Sequence, residues 1–216
     1  DFSHFLTQTG LQDTHTISLP SPFDYAQQAL LYVPTGLPAP NHSDFTLLLT
    51  EHCLPLILAL EGRTFFLCTS LRAMDRVVAK LRDLLKEAGS SIQVLAQGEN
   101  SRSAMLEIFR NHPSSVLVGS ASFWEGVDVR GNGLSMVIID KLPFSPPDDP
   151  LFAARLKAVR KAGGNPFVEV QLPQAAIALK QGAGRLIRDP ADHGLLVIGD
   201  ARLAEKPYGK LLWSGL

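Results

Sequence analysis

The chain has two cysteines, Cys53 and Cys68, with no Cys-x-x-Cys pair and no histidines at ligand spacing. That scarcity excludes a disulfide framework and argues against a zinc-built fold; reduced core thiols in a cytoplasmic protein are the expectation. Neither sign of charge is in excess, with Lys plus Arg 20 against Asp plus Glu 21. A polyanionic partner would therefore have to be held by a local arrangement, not by a net field. No secretory leader opens the chain, and its longest apolar stretch, CLPLILAL from Cys53 to Leu60, falls far short of the ~20 residues that span a bilayer. No Gly-x-x-x-x-Gly-Lys-[Ser/Thr] occurs anywhere, so a self-contained triphosphate loop is excluded. The start at Asp1 without Met and the end at LLWSGL read as those of a piece cut from a longer chain.

What is present describes a folded domain. The 216 residues slightly exceed the usual ~100–200 of one domain, and 45% hydrophobic with 19% charged residues is ordinary for an α/β or α+β core. Residues 1–42 read as an extended lead-in, because Pro20, Pro22, Pro34, Pro38 and Pro40 block continuous helix and remove ladder donors. Within it QALLYVP, residues 28–34, predicts an edge strand that Pro34 ends.

Residues 43–216 alternate. Helices are predicted over 44–62, stopped at Gly62, then 71–89, 101–112 with Ser101 as cap, 149–163 and 172–189. Between and after them stand RTFFLCT, SIQVLAQ, SSVLVGS, LSMVIIDKLPF and HGLLVIGDAR, nearly continuous apolar runs of strand length. Such runs alternating with amphipathic helices require a parallel sheet covered on both faces, so a doubly wound α/β domain is expected.

Ligands in such folds sit at the carboxyl ends of strands, where Ser70, Ser120, Lys141 and Arg202 fall. In SASFWEGVD, Ser120 to Asp128, a hydroxyl could meet a phosphate, Gly126 permits close backbone approach, and Asp128 could anchor a ribose or an arginine. Phe123 and Trp124 either stack on bases or belong to the core. Phe123 also breaks a Gly-x-Ser-x-Gly elbow. In QGAGRLIRD, Gly182 and Gly184 follow a helical pattern and not a strand, which removes a dinucleotide loop. If that helix continues, Gln181, Arg185 and Arg188 share one face. Spacing leaves two readings open, an anion clamp or a solvated arginine pair partnered by Asp189 and Asp192.

Three segments taken together, FFLCTSLRAMDRV, VLVGSASFWEGVDVRGNGLSMVIIDKLPF and QGAGRLIRDPADHGLLVIGDARL, resemble motifs IV, V and VI of superfamily 2 DNA helicases in the XPD/DinG-like version, and SPFDYAQQALLYVP resembles the lead-in to the second motor domain there. The resemblance implies a RecA-like domain, a P-loop NTPase fold lacking its own P-loop, that works opposite a first RecA-like domain of the same helicase. It implies that ATP and Mg2+ bind mainly to that first domain. Arg185 and Arg188 would approach the γ-phosphate, one as an arginine finger, with Gln181 positioning them. By the same resemblance Gly126, Asp128 and the adjoining Glu125 would couple nucleotide to strand track. Thr69, Ser70 and Ser120, and less directly Trp124 and Lys141, would contact single-stranded DNA. A 4Fe-4S cluster belongs to the parent in this picture and not to this chain, whose two cysteines do not match the four-cysteine set. The implied activity is that of an ATP-dependent 5′-to-3′ DNA helicase of repair, with the isolated domain unable to hydrolyse ATP. A second implied role is docking onto the chi subunit of DNA polymerase III, for which Leu211, Leu212 and Trp213 offer an apolar patch.

Overall fold

The computed structural model describes residues 2, 5, 6, 9–11, 14–120, 133–145 and 149–213. Six strands, β1 (Ala29–Tyr32), β2 (Thr64–Cys68), β3 (Gln93–Ala96), β4 (Ser115–Ser120), β5 (Met136–Ile139) and β6 (Gly194–Ile198), form one sheet in the order β1-β6-β5-β2-β4-β3. Every pairing is parallel; β2 at the centre sets Phe65 against Leu117 on one side and Val137 on the other. The expected edge strand is β1, which pairs only with β6 in the strand order.

Side chains alternate between the two faces, as strand geometry demands. Phe65, Leu67, Leu117, Val137, Ile139 and Ile198 point into one core; Phe66, Cys68, Val116, Val118, Ile138 and Val197 point into the other. The second core is closed by α2 (Phe45–Ala59) and α3 (Leu71–Glu87), which follow the short α1 (Tyr25–Gln28) in the chain. The first is closed by α4 (Arg102–Asn111) and α6 (Leu172–Ala183). Between these last two, α5 (Pro150–Lys161) leads to a π-helical turn (Phe167–Gln171) that runs directly into α6; α7 (Arg202–Glu205) and α8 (Gly209–Trp213) follow β6. Cys53 and Cys68 are free and buried, and burial pushes the Cys53 thiol up to about 12 and Cys68 well above its usual value. Both behave as small core hydrophobes.

Helix α2 ends at Ala59 with Leu60 as its cap, short of the expected stop at Gly62, and Gly62 closes the turn that follows by a close approach. The Gly62 N–H reaches the Ile57 carbonyl at 2.9 Å, its φ is +88°, and a Cβ there would stand 2.6 Å from the Ser115 nitrogen. The left-handed backbone begins one residue earlier, at Glu61, and continues through Arg63.

The helix predicted over 172–189 is corrected at its end. It stops at Ala183, with Gly184 as cap, and residues 184–190 are turn and loop. Leu186 and Ile187 are drawn into the core, at 3% and 4% exposed. The Asp192 carboxylate accepts the N–H groups of Arg188 and Asp189, each at 2.8 Å, and Pro190 disfavours helix at the residue before it. Arg185 and Arg188 therefore do not project from one helix face.

Candidate nucleotide and nucleic-acid sites at opposite edges of the sheet

In a parallel sheet all strands finish at one edge. At this carboxyl edge β5 runs into Asp140, whose side chain is fully buried. Its Oδ1 accepts the N–H of Thr69 at 2.8 Å and of Lys141 at 2.7 Å, and its Oδ2 accepts the Thr69 hydroxyl at 3.3 Å. Lys141 turns its Nζ back to 3.5 Å from Asp140 Oδ2, above the Phe45 ring at 5.4 Å from its centroid. After β6, Asp200 is equally buried and accepts the Leu142 N–H at 3.0 Å, while Arg202 returns its guanidinium onto the same carboxylate at 2.6 Å. Two buried acids thus fix the loop between β5 and α5 to the ends of β2 and β6. Ser70 caps α3, its hydroxyl accepting the Ala73 N–H at 3.2 Å. Ser120 ends β4 and donates its N–H and hydroxyl to Gln97 Oε1, at 2.7 and 3.0 Å.

These ends open on a cleft of about 790 Å3. Thr69, Ser70 and Lys141 line it with Arg202 and Lys206, and residues 37–41 of the lead-in form another wall. Three of the residues expected to meet DNA are brought together here. Trp124, Glu125, Gly126 and Asp128, with Phe123, lie outside the described residues.

Burial pushes the Asp140 carboxyl up from its usual value, opposed by Lys141 and by the Thr69 and Lys141 hydrogen bonds. The raised value sets a sign. In the window between the ordinary carboxylate range and the raised value, the folded chain binds a proton the unfolded chain does not, so stability falls as pH rises through it. Asp140→Asn keeps an acceptor for the two backbone N–H groups and removes the buried charge. It should cost under about 1 kcal/mol and flatten the pH dependence of stability above the ordinary carboxylate range, whereas Asp140→Ala should cost about 2–3 kcal/mol by orphaning those donors. Denaturant titrations across that range check both.

The arginines sit at the other edge. Gln28, immediately ahead of β1, donates its side-chain amide to the carbonyls of Asp189 and Pro190 at 3.0 Å and Asp192 at 3.1 Å. The loop that carries Arg188 is thereby tied to the amino end of the sheet. Arg185 and Arg188 are half-buried and the Nε atom of each is buried; Gln181 is exposed on the last turn of α6. Half-buried arginines, each with its planar fork of donors, suit a phosphate chain. Asp192 engages the Arg188 backbone N–H, a different role from the side-chain partner its spacing suggested.

Gln28, Asp140 and Asp200 stand outside the residues expected from the motifs. Asp140 follows the apolar run MVII directly and Asp200 follows GLLVI after Gly199, close to the kind of position that singled out Ser120, so their signal was present. Gln28 carries none, since its partners lie 161–164 residues away.

A family model described as "Helicase C-terminal domain" matches residues 53–216. The chain belongs to this family. It is 49% identical over its whole length to the ATP-dependent DNA helicase YoaA of Escherichia coli, covering 33% of that protein. It is 42% identical to the ATP-dependent helicase DinG of Mycobacterium tuberculosis, across 91% of this chain and 29% of that one. A solved XPD helicase superposes with a TM-score of 0.66 at 19% identity, over 86% of this chain and 34% of that one. The domain thus has the RecA-like α/β fold of the XPD/DinG-like helicases, and it spans about a third of the length of the curated relatives it matches.

The apolar patch near the end is corrected in one respect: Leu212 is buried at 1% exposed and packs in the first core, while Leu211 and Trp213 remain 61% and 53% exposed. Among the described residues no helix is long and apolar enough to cross a membrane, and no cluster of His, Cys, Asp or Glu could hold a metal ion.

Proposed function

We propose that this domain is the second motor domain of an ATP-dependent DNA helicase that moves 5′ to 3′ on single-stranded DNA and acts in repair and replication. The observation that carries the reading is the separation of two anion-suited groups of residues on one rigid sheet. Thr69, Ser70, Lys141 and Arg202 line the carboxyl-edge cleft, and Arg188 stands on a loop pinned at the amino edge. A chain without a lysine-bearing phosphate loop has to meet its nucleotide across a boundary with another domain, which would carry most of the ATP and Mg2+ contacts.

ATP brings the phosphoanhydride whose cleavage drives translocation. This chain's part is electrostatic: Arg185 and Arg188 stabilise the charge that develops on the transferred phosphoryl oxygens, and Gln181 helps to position them. At the other edge the Thr69 and Ser70 hydroxyls and the Lys141 ammonium meet DNA phosphates, and Ser120 extends that track. Glu125, Gly126 and Asp128 couple the edges, with Trp124 stacking on a base. Alone, the domain should show no ATPase.

The test is salt-dependent binding. In the full-length helicase, Lys141→Ala should weaken single-stranded DNA binding several-fold and lower the slope of log K against log salt by about 0.7, the value of one phosphate contact on a single strand. An unchanged slope would remove Lys141 from the track.

A second reading, docking onto the chi subunit of DNA polymerase III, is favoured by one feature. The exposed Trp213 borders an apolar groove with Tyr25, Leu31 and Ile187. Capture of purified chi that survives Trp213→Ala would exclude this groove as its seat.

A further inference from the structure

We infer that Gln28 is a positioning residue for the Arg188 loop, and so a determinant of ATP turnover contributed by the lead-in segment outside the matched helicase residues 53–216. The inference rests on the proposed role of Arg188. The Gln28 side chain is 6% exposed, and its amide nitrogen lies 3.0, 3.0 and 3.1 Å from the carbonyl oxygens of Asp189, Pro190 and Asp192. Three carbonyls converging on one NH2 group gather the turn around a single donor. The Asp192 carboxylate closes it from within, taking the N–H groups of Arg188 and Asp189. Asp189 Oδ1 adds a third constraint by accepting the Ala191 N–H at 3.0 Å.

The chemistry of Gln28 is specific. Burial excludes water as a substitute donor, and a residue without N–H groups would leave carbonyls facing each other with nothing between them. Glutamate would set a carboxylate against those oxygens. Gln28 is also the last residue of α1 and abuts Ala29, the first residue of β1, whose partner in register is Gly194. The end of the Arg188 loop that leads into β6 is thereby referenced to the sheet twice, at Gln28 and at the start of β6. An arginine acting on a transferring phosphoryl group depends on such placement, since misplacement by about 1 Å costs on the order of a hundredfold in rate.

The experiment compares Gln28→Met, which matches the side chain in length without donors, with Gln28→Glu, in the full-length helicase beside Arg188→Ala. Amide hydrogen exchange of residues 188–192 is followed together with kcat, KM for ATP, single-stranded DNA affinity and thermal midpoint. The expected result is faster exchange confined to that loop, kcat lowered about tenfold to a hundredfold, and DNA affinity within about twofold. The double variant Gln28→Met/Arg188→Ala should turn over no more slowly than Arg188→Ala alone, because both act through one group. Loop exchange and kcat both unchanged in Gln28→Met, with Arg188→Ala inactive, would overturn the inference and leave the proposed function standing. So would a kcat loss that merely tracks the unfolded fraction. Full ATPase in Arg188→Ala would instead sink the role of Arg188, and with it any catalytic meaning for Gln28.

Discussion

Replacing Arg188 or Arg185 by alanine in the full-length helicase is expected to lower DNA-stimulated ATP hydrolysis by at least about a thousandfold, the range in which arginine fingers act on phosphoryl transfer. The loss should fall on kcat more than on KM, because a group that serves the charge of the transition state contributes little to ground-state binding. Folding should survive: both side chains are half-buried in a surface loop, and the loop's own geometry is held by Asp192 and Gln28 through backbone atoms that alanine retains. Steady-state ATPase at saturating single-stranded DNA, with a denaturation curve for each variant, checks both halves of this expectation. The two arginines need not be equal. Arg188 follows the buried Leu186 and Ile187 and has its N–H fixed by Asp192, whereas Arg185 sits in the turn just after Gly184, the cap of α6. The larger effect is expected at Arg188.

Asp200→Ala should be the most damaging polar substitution at the other edge, costing about 3 kcal/mol and lowering the midpoint by about 10 °C for a domain of this size. The carboxylate is fully buried and serves the Leu142 N–H, the Arg202 N–H and the Arg202 guanidinium together. The Asp200 hydrogen bond is the largest cause of the upward shift of Arg202. Arg202 also lies over Phe144, 5.6 Å from its ring centroid, and Phe144 packs with Phe167 of the π-helical turn ahead of α6 and with Tyr208 between α7 and α8. Losing Asp200 orphans the Leu142 N–H and frees Arg202, so the loop carrying Lys141 loses its tie to the end of β6 and keeps the one through Asp140. The partial exposure of Arg202, 34% for its side chain, keeps the cost near the lower end for a broken buried pair, since water can take up the guanidinium. Asp200→Asn retains an acceptor for Leu142 and should cost about half as much. Chemical denaturation of the isolated domain measures both.

The strands were legible because burial on both faces leaves apolar runs such as TFFLC and MVII that little else produces. Their order could not be read, since it is set by which helix covers which face. The amphipathic α3 and its Ser70 cap announce themselves locally. The end of α6 does not: Leu186 and Ile187 continue the helical spacing of Ala175 and Leu179, and only their capture by the core, with Asp192 taking the N–H groups beyond them, breaks the helix. For the candidate site, residue identity was readable where a polar residue follows an apolar run, as at Thr69, Ser120 and Lys141. Direction was not. Lys141 turns back onto Asp140 through a contact made in place, and Gln28 reaches the arginine loop across most of the chain. The short helices α7 and α8 and the π-helical turn ahead of α6 are too brief for periodicity to mark.

The measurement that bears most directly on the two-edge account is single-turnover ATP hydrolysis and single-stranded DNA affinity, both on Arg188→Lys in the same full-length helicase. Lysine keeps the charge and loses the planar fork. The account predicts hydrolysis lowered by about a hundredfold or more, with DNA affinity within about twofold of the parent. Hydrolysis retained while DNA binding is lost would contradict it, and would move the arginine loop from the nucleotide to the strand.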